Sequence, residues 1–504
     1  MRPTSDHAGD RPDDWAAPGA ALVRSAATDT IPALADLGRV HIMGIAGSGM
    51  SALARILLER GLPVSGCEAR DSLTVKGLRA LGAEVHIGHS PEHVAACDTF
   101  VYTTAINPKH DEYVAARDAQ GRGLHFLRRA AALAAALEDK RSVAIAGTHG
   151  KTSTTSLLVV AAQACGADPS FAIGGNLYET GKNAHLGTGD IAVVEADESD
   201  GSFLLTRPAL AVITNVEADH LENHGDLEGI HRAFELFVDR VSPDGPVLVC
   251  ADDEGAMRVG DYARAQGRRV HTYGTAATAD ERVSDIVTRA DAVEFTVSGP
   301  LLGERQVRVG SLIGTHMALN ATAALVLAAE LGLDVGAAAA SWASFGGVRR
   351  RFEPHGEGGG VRVYDDYAHH PTEIAASLRA AREALAGTGR LIAVFQPGTY
   401  SRTQTFAREF ADAMALADVA VVLNIFPARE EPIPGVTGAT ISDLIDLPAG
   451  DVVYEPHYES VPERIAELSR PGDLVVTMGI GDVYLLCDGI REACARAHAG
   501  GSAG

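Results

Sequence analysis

The sequence predicts an α/β protein of three successive units, each a mainly parallel sheet flanked by helices. Three observations lead there. A chain of 504 residues accommodates about three domains. Short β-branched runs alternate with Ala/Leu-rich helical stretches, the sign of parallel strands joined by helical crossovers. Three of those runs, Val40–Ile45, Ser142–Ala146 and Leu391–Phe395, each feed a glycine-containing turn.

Composition narrows the function. Hydrophobic residues make up 46% and charged residues 22%, ordinary globular values that exclude whole-chain disorder, collagen and coiled coil. No uncharged apolar run approaches the ~18 residues of a membrane span. The polar, acidic start Met1–Asp14 has no secretory pattern, so a soluble cytoplasmic protein without a membrane partner is expected. The net charge of −23, with no basic cluster longer than Arg349-Arg350-Arg351, argues against a nucleic-acid partner. Lysine occurs only at Lys76, Lys109, Lys140, Lys151 and Lys182, so one inside a glycine-rich motif stands out. The six cysteines are dispersed without a C-x-x-C pair, which suggests buried reduced thiols rather than a zinc site or a disulfide framework. The expected layout is a disordered tail at 1–36, units at 37–138, 139–348 and 349–494, and a second tail at 495–504.

In the first unit, Val40-His41-Ile42-Met43 runs into Gly44-Ile45-Ala46-Gly47-Ser48-Gly49-Met50 and a helical stretch Ser51–Arg60. Strand, glycine turn and helix aim backbone N–H groups at an anionic phosphate. The spacing G-x-x-G-x-G departs from the dinucleotide fingerprint G-x-G-x-x-G. Glu68, after the strand Pro63–Cys67, stands where a ribose-binding carboxylate would. Alone, the turn fits a structural bend, an NAD site or a diphosphate cradle.

In the second unit, Ser142–Ala146 leads into Gly147-Thr148-His149-Gly150-Lys151-Thr152 and a helix beginning near Ser153. This compact G-x-x-G-K-T keeps the working parts of a phosphate loop. Successive N–H groups cradle phosphate, Lys151 reaches the β/γ-phosphates, and the Thr152 hydroxyl can coordinate Mg²⁺. The apolar strand Ile191–Val194 ends at Glu195, in E-A-D-E-S-D; because ligands lie beyond the carboxyl ends of parallel strands, Glu195 is placed at the site ahead of Asp197 and Glu198. A second apolar run, Ala209–Thr214, ends in Asn215-Val216-Glu217-Ala218-Asp219-His220, where His220 is a candidate metal ligand or phosphate contact.

Taken together, G-I-A-G-S-G-M-S, A-G-T-H-G-K-T, E-A-D-E-S-D-G-S-F, T-N-V-E-A-D-H-L and D-D-Y-A-H-H-P-T-E, in that order, resemble the Mur ligases of peptidoglycan synthesis. The resemblance runs from about Gly38 to Cys487. It implies a Rossmann-like N-terminal domain binding the UDP-sugar, a central P-loop ATPase domain and a Rossmann-like C-terminal domain. It implies a reaction in which ATP, UDP-N-acetylmuramate and L-alanine give the UDP-muramoyl-alanine, ADP and phosphate through an acyl phosphate. A tripeptide-joining recycling ligase of the same family is the alternative, and a nucleotide-hydrolysing switch is a rival from another class.

The resemblance also implies roles. Lys151 would neutralise the γ-phosphate; Thr152 and Glu195 would hold one Mg²⁺, and His220 would help hold a second. ATP would rest on Gly147, Thr148, His149, Gly150, Lys151, Thr152 and Ser153, with Asn320, Arg351 and Asp366. The UDP-sugar would rest on Gly44, Ala46, Gly47, Ser48, Gly49, Met50 and Glu68, so the glycine turn reads as a diphosphate cradle rather than an NAD site. His369 and His370 would approach the reacting centre, unless one of them is structural. Three departures from the family pattern bear on affinity. Met317 replaces the first Asn of H-N-x-x-N, leaving adenine recognition to Asn320 and backbone groups or to a shifted helix. Gln396-Pro397-Gly398 lacks the usual His, and Asn183-Ala184-His185 lacks the usual Arg. None touches the metal-phosphate core, so activity is expected.

Overall fold

The computed structural model describes residues 30–103, 106–178, 180–428 and 430–499. Contacts gather the chain into two compact units. One holds the chain up to Thr155 with Gly166–Gly174 and Asn183–Asp280; the other holds Ser156–Cys165, Gly175–Lys182 and the chain from Glu281.

The first unit contains two sheets. Strands β1 (Val40–Met43), β2 (Val64–Glu68), β3 (Glu84–Ile87), β4 (Thr99–Tyr102) and β5 (His125–Arg128) form an all-parallel sheet in the order β3-β2-β1-β4-β5. The order reverses between β1 and β4, and the crevice at such a switch point is where doubly wound sheets bind ligands. The glycine turn leaves β1 at that crevice. β1 stops at Met43, short of the expected Ile45, because Gly44 takes φ +70°, a left-handed conformation that costs glycine little. The following helix, Ser48–Glu59, starts earlier than expected, with Gly47 as its N-cap.

The second sheet in this unit has β6 (Arg141–Ala146), β7 (Ser170–Ala172), β8 (Ala184–His185), β9 (Ile191–Glu195), β10 (Leu210–Ile213), β11 (Val247–Cys250) and β12 (Val270–Gly274). Their order is β12-β11-β10-β6-β9-β7-β8, parallel except for β8. Val143 to Ala146 of β6 are fully buried, which explains their continuous apolar run: a central parallel strand is covered on both faces. Both sheets fall in this unit, and the first helix is tied to the second sheet's edge. Asn183 Nδ2 donates to Ser48 O at 2.9 Å, and Leu186 N donates to Glu59 Oε2 at 2.6 Å.

In the second unit, β13 (Glu281–Thr288), β14 (Ala292–Ser298) and β15 (Arg305–Gly310) form an antiparallel meander. Further on, β16 (Glu353–Gly358), β17 (Val361–Asp366), β18 (Leu391–Phe395), β19 (Val419–Leu423), β20 (Val452–Glu455) and β21 (Leu474–Met478) pair in the order β16-β17-β21-β18-β19-β20. Only β16 is antiparallel. Apolar clusters cover both faces of this sheet, one around Leu378 and Phe410, the other around Ile465 and Ile490.

The expected tails need correction where they are described. Residues 1–29 and 500–504 lie outside the described residues. Residues 30–36 include a 3₁₀ turn, Leu34–Asp36, whose Leu34 amide donates to Glu138 Oε1 at 3.2 Å. At the other end a helix runs Leu486–His498, past Cys494, because its last turns have partners: Ser469 Oγ lies 3.4 Å from Cys494 Sγ and 3.2 Å from His498 Nε2.

Candidate active site

The glycine turn is held by its neighbour strand. The amides of Gly44 and Ile45 donate to Cys67 O at 2.9 and 3.1 Å. Glu68 turns back onto the same turn: Oε2 accepts the Ala46 amide at 3.1 Å and Oε1 accepts the Ala69 amide at 2.9 Å. Through the Ala46 amide Glu68 braces the glycine turn, and through the Ala69 amide it fixes its own strand end. Met50 is buried in the core, so it offers the crevice backbone only. Gly47 is open: an added Cβ would meet nothing nearer than Gly44 O at 3.4 Å. Over Gly49 lies the Arg129 guanidinium, 3.0–3.1 Å from where a Cβ would stand, a basic group that sequence reading did not single out.

The phosphate loop follows β6. Gly147 has φ +129°, and a side chain there would collide with Thr214 Oγ1. The helix begins at Lys151 rather than Ser153, so Lys151, Thr152 and Ser153 occupy its first turn, whose N–H groups lack helical acceptors. Thr148 N donates to Asn215 O at 3.1 Å and His149 N to Asn215 Oδ1 at 2.7 Å, while Thr148 Oγ1 accepts Glu217 N at 3.0 Å. Thr148 and His149 therefore anchor the loop to the end of β10. Asn215, in the quoted T-N-V motif, is the residue that sets this.

Lys151 folds back over its loop. Nζ donates to Gly147 O at 2.6 Å and to Glu198 Oε2 at 2.7 Å and Oε1 at 3.0 Å. Burial works against the ammonium, but the Glu198 and Asp197 carboxylates outweigh it and hold its pKa above the ordinary value. Burial raises Glu198 against the pull of Lys151, whereas for Asp197 the cations Lys151 and Arg129 overcome burial and lower it. Sequence order favoured Glu195 over Glu198; the structure gives them different partners. Glu195 ends β9 opposite Ile145 of β6, and its Oε1 accepts the Gly174 amide at 2.8 Å. A Cβ on Gly174 would stand 2.9 Å from Glu195 Oε2 and 3.4 Å from Thr152 Oγ1, so these two oxygens converge on a gap that only glycine leaves open. Gly174 O in turn accepts Ser48 Oγ at 2.8 Å. One residue thus touches both the glycine turn's helix and the strand-end carboxylate Glu195, and no local motif announced it. Hard oxygen donors beside a phosphate-facing helix terminus fit Mg²⁺.

His220 has φ +51° and caps the short helix Leu221–His224; its Nε2 lies 3.5 Å from Asp219 Oδ2. Its charge acts on Glu198, and His224 Nε2 meets Glu198 O at 2.9 Å, so this loop packs on the acidic segment.

In the second unit, Asn320 is buried in the helix Thr315–Glu330 with Nδ2 3.7 Å from Met317 Sδ, so the substituted methionine occupies its polar neighbour. Asp366 accepts the amides of Phe352 and Ala368, each at 2.8 Å, and so braces this corner. Burial pushes its carboxyl up to about 6 against the nearby Arg351 cation. Arg351 lies over the Tyr367 ring at 5.4 Å. His369 Nδ1 meets Tyr367 O at 2.9 Å, and Glu373 Oε2 accepts the His369 and His370 amides at 3.0 and 3.3 Å, closing the N-terminus of the helix Pro371–Leu385. The His370 ring is buried and edge-on to Phe406 at 5.2 Å. His316, near Arg351, is pushed down to about 4, first by burial and then by that cation.

Strand, glycine loop, lysine and strand-end carboxylates define a protein of the phosphate-loop α/β class. The chain belongs to the Mur ligase family: residues 39–141 match its family catalytic domain, 145–328 its middle domain and 350–481 its glutamate ligase domain. It is 51% identical to a UDP-N-acetylmuramate–L-alanine ligase of Acidothermus cellulolyticus over 92% of this chain and 96% of the relative. It is 50% identical to the protein of that name from Thermobifida fusca, over 91% and 97%. Among solved structures it resembles a UDP-N-acetylmuramate–alanine ligase of Thermotoga maritima, with TM-score 0.74 and 25% identity over 92% of this chain and 99% of that one. A murein peptide ligase of Psychrobacter arcticus matches with TM-score 0.64 and 25% identity, over 92% and 100%.

Proposed function

We propose that this chain is an ATP-dependent ligase joining the amino group of L-alanine to the lactyl carboxylate of UDP-N-acetylmuramate, a step of peptidoglycan precursor synthesis. The observation that carries this reading is Gly174, which contacts Ser48 of the glycine turn's helix through its carbonyl and Glu195 through its amide. A sugar nucleotide on the turn and a triphosphate on the Lys151 loop would then meet across one residue. The high-identity relatives bear the name of this activity.

A carboxylate does not acylate an amine, because oxide is a poor leaving group. The lactyl carboxylate oxygen therefore attacks the γ-phosphorus of ATP; the P–O bond to ADP breaks and an acyl phosphate forms. The alanine nitrogen then attacks the acyl carbon, phosphate departs and the nitrogen loses a proton. Catalysis here is positioning and charge neutralisation. Lys151 exchanges its Glu198 partner for the γ-phosphate. The amides from Gly150 to Ser153 hold the phosphate chain, and Arg129 adds positive charge beside Gly49. Gly44, Ala46, Gly47, Ser48 and Gly49 cradle the UDP diphosphate, with Glu68 fixing the turn. Thr152 and Glu195, with His220 nearby, would hold Mg²⁺, which supplies Lewis-acid neutralisation of the β- and γ-oxygens when bound. Arg351 reaches the nucleotide, and Asn320 lies on the adenine side. Localisation in the cytoplasm fits substrates of this kind; among the described residues no helix is long and apolar enough to cross a membrane. Ligation assays offering L-alanine or the tripeptide separately test the reading. Product with alanine supports it, and product with the tripeptide alone assigns the recycling reaction instead.

A further inference from the structure

Behind the glycine turn, four side chains from four elements meet on one face of the first sheet. Parallel pairing sets Met43 opposite Cys67 and His41 opposite Ser65, so His41 and Cys67 share a face on adjacent strands. The helix Asp111–Gln120 lays Glu112 on that face, and the 3₁₀ turn Pro91–Ala96 adds His93. Their ligand-type atoms all lie within 4.8 Å of one another. Glu112 Oε1 is 3.1 Å from His41 Nε2, 2.9 Å from His93 Nδ1 and 3.3 Å from Cys67 Sγ.

We propose that His41, Cys67, His93 and Glu112 form a binding site for a zinc ion. The orientation of His41 is the first argument. His41 Nδ1 lies 2.9 Å from Ser65 Oγ, a contact that fixes the ring from its outer side. That leaves Nε2 directed at the Glu112 carboxylate oxygen 3.1 Å away, where an imidazole nitrogen and a carboxylate can share one cation. A hydrogen bond fixing the outer nitrogen of a ligand histidine is the usual support of a metal site. The second argument is the donor set. One thiolate, two imidazoles and one carboxylate suit a borderline-soft, tetrahedral ion, and harder Mg²⁺ or Ca²⁺ would not choose them. Zinc bonds of about 2.0–2.3 Å place tetrahedral ligand atoms about 3.3–3.8 Å apart, between the short Glu112 contacts and the 4.8 Å span that encloses all four atoms.

The site is closed, as structural zinc sites are: His41, Cys67 and Glu112 are buried, and access is along the partly exposed His93 and His89. His89 Nδ1 lies 2.9 Å from Cys67 Sγ and would shield the thiolate. His86 stacks on His93 at 4.3 Å and steadies it. On binding, the Zn–S bond forms and the Cys67 thiol proton passes to solvent. Because Cys67 O accepts the Gly44 and Ile45 amides, zinc here stiffens the glycine turn without joining the chemistry. The absence of any C-x-x-C pair gave no hint of it.

The test uses the full untagged chain, stripped with a chelator. One equivalent of Zn²⁺ should bind per chain and raise Tm by several degrees. Co²⁺ should give an intense near-ultraviolet thiolate-to-metal band with tetrahedral visible bands. Cys67→Ser should abolish the near-ultraviolet band, and His93→Asn should weaken zinc binding at least 100-fold. Absence of the thiolate band in the wild-type chain overturns the proposal whether or not the variants fold. Retention of stoichiometric zinc by both folded variants overturns it as well. Neither readout depends on ligase activity.

Discussion

Lys151 Nζ rests 2.7 Å from Glu198 Oε2, so the lysine of the phosphate loop is ion-paired across its own loop. Both side chains are largely buried, at 17% and 6% exposure. In the proposed reaction an arriving γ-phosphate would compete with a carboxylate already in place, so the loop lysine would serve the fold as well as the chemistry.

Removing that lysine should therefore cost stability as well as turnover. Lys151→Ala leaves Glu198 buried without its cation, a loss on the order of 3–5 kcal/mol when one partner of a buried pair is deleted. Turnover should fall below a tenth of wild type, because the transferring phosphate loses its counter-charge. The pair Lys151→Met with Glu198→Gln should regain most of the stability and none of the activity. Denaturant melts and phosphate-release assays check both halves; a stable, active single variant removes Lys151 from the mechanism.

Gly174 makes a sharper probe of the carboxylate site. Its backbone tolerates any residue, but a Cβ would stand 2.9 Å from Glu195 Oε2 and 3.4 Å from Thr152 Oγ1. Gly174→Ala should lower kcat at least tenfold with little change in Tm, and Glu195→Gln should lower it by orders of magnitude with only partial rescue by excess Mg²⁺. Wild-type kcat in Gly174→Ala would show that Thr152 and Glu195 do not work as a pair.

The glycine turn predicts a selective binding loss. Gly47→Val places a side chain where backbone must approach phosphate, yet an added Cβ finds room in the fold. Calorimetric titration should show UDP-N-acetylmuramate affinity falling strongly, ATP affinity near normal, and no NAD binding by either protein. Equal loss of both affinities, or tight NAD binding, contradicts the assignment.

His316 predicts an acid-side instability. Burial and Arg351 push its imidazole down to about 4, below the ordinary 6.5 of the unfolded chain. Between those values the unfolded state binds more protons, so stability is full above pH 6.5 and drains away as pH falls toward 4. At pH 5 this one group costs about 2 kcal/mol relative to pH 7. His316→Gln should flatten that part of the urea midpoint's pH dependence; an unchanged slope means the ring is not held neutral.

Much of this was legible in the sequence, for a physical reason. Central parallel strands are buried on both faces, so β6, β9 and β10 appear as unbroken apolar runs, and the loops after them carry the chemistry. What stayed hidden was non-local. Whether Glu195 or Glu198 meets the lysine depends on how the chain turns after β9, with Gly201 at φ +72°. Gly174 comes from the end of β7, far along the chain from both residues it joins. Thr148 and His149 look like cradle residues until Asn215 is seen to hold them. Cys67, His93 and Glu112 sit on separate elements, so a search for closely spaced ligands passes over them.

The central claim, that this site couples ATP cleavage to amide formation on a sugar nucleotide, is tested most directly by phosphate release measured with each substrate omitted in turn. With ATP and Mg²⁺ present, phosphate and UDP-muramoyl-alanine should appear in equal amounts, and only when UDP-N-acetylmuramate and L-alanine are both supplied. Phosphate release that ignores the sugar nucleotide, or product formed with the tripeptide but not with alanine, would contradict it.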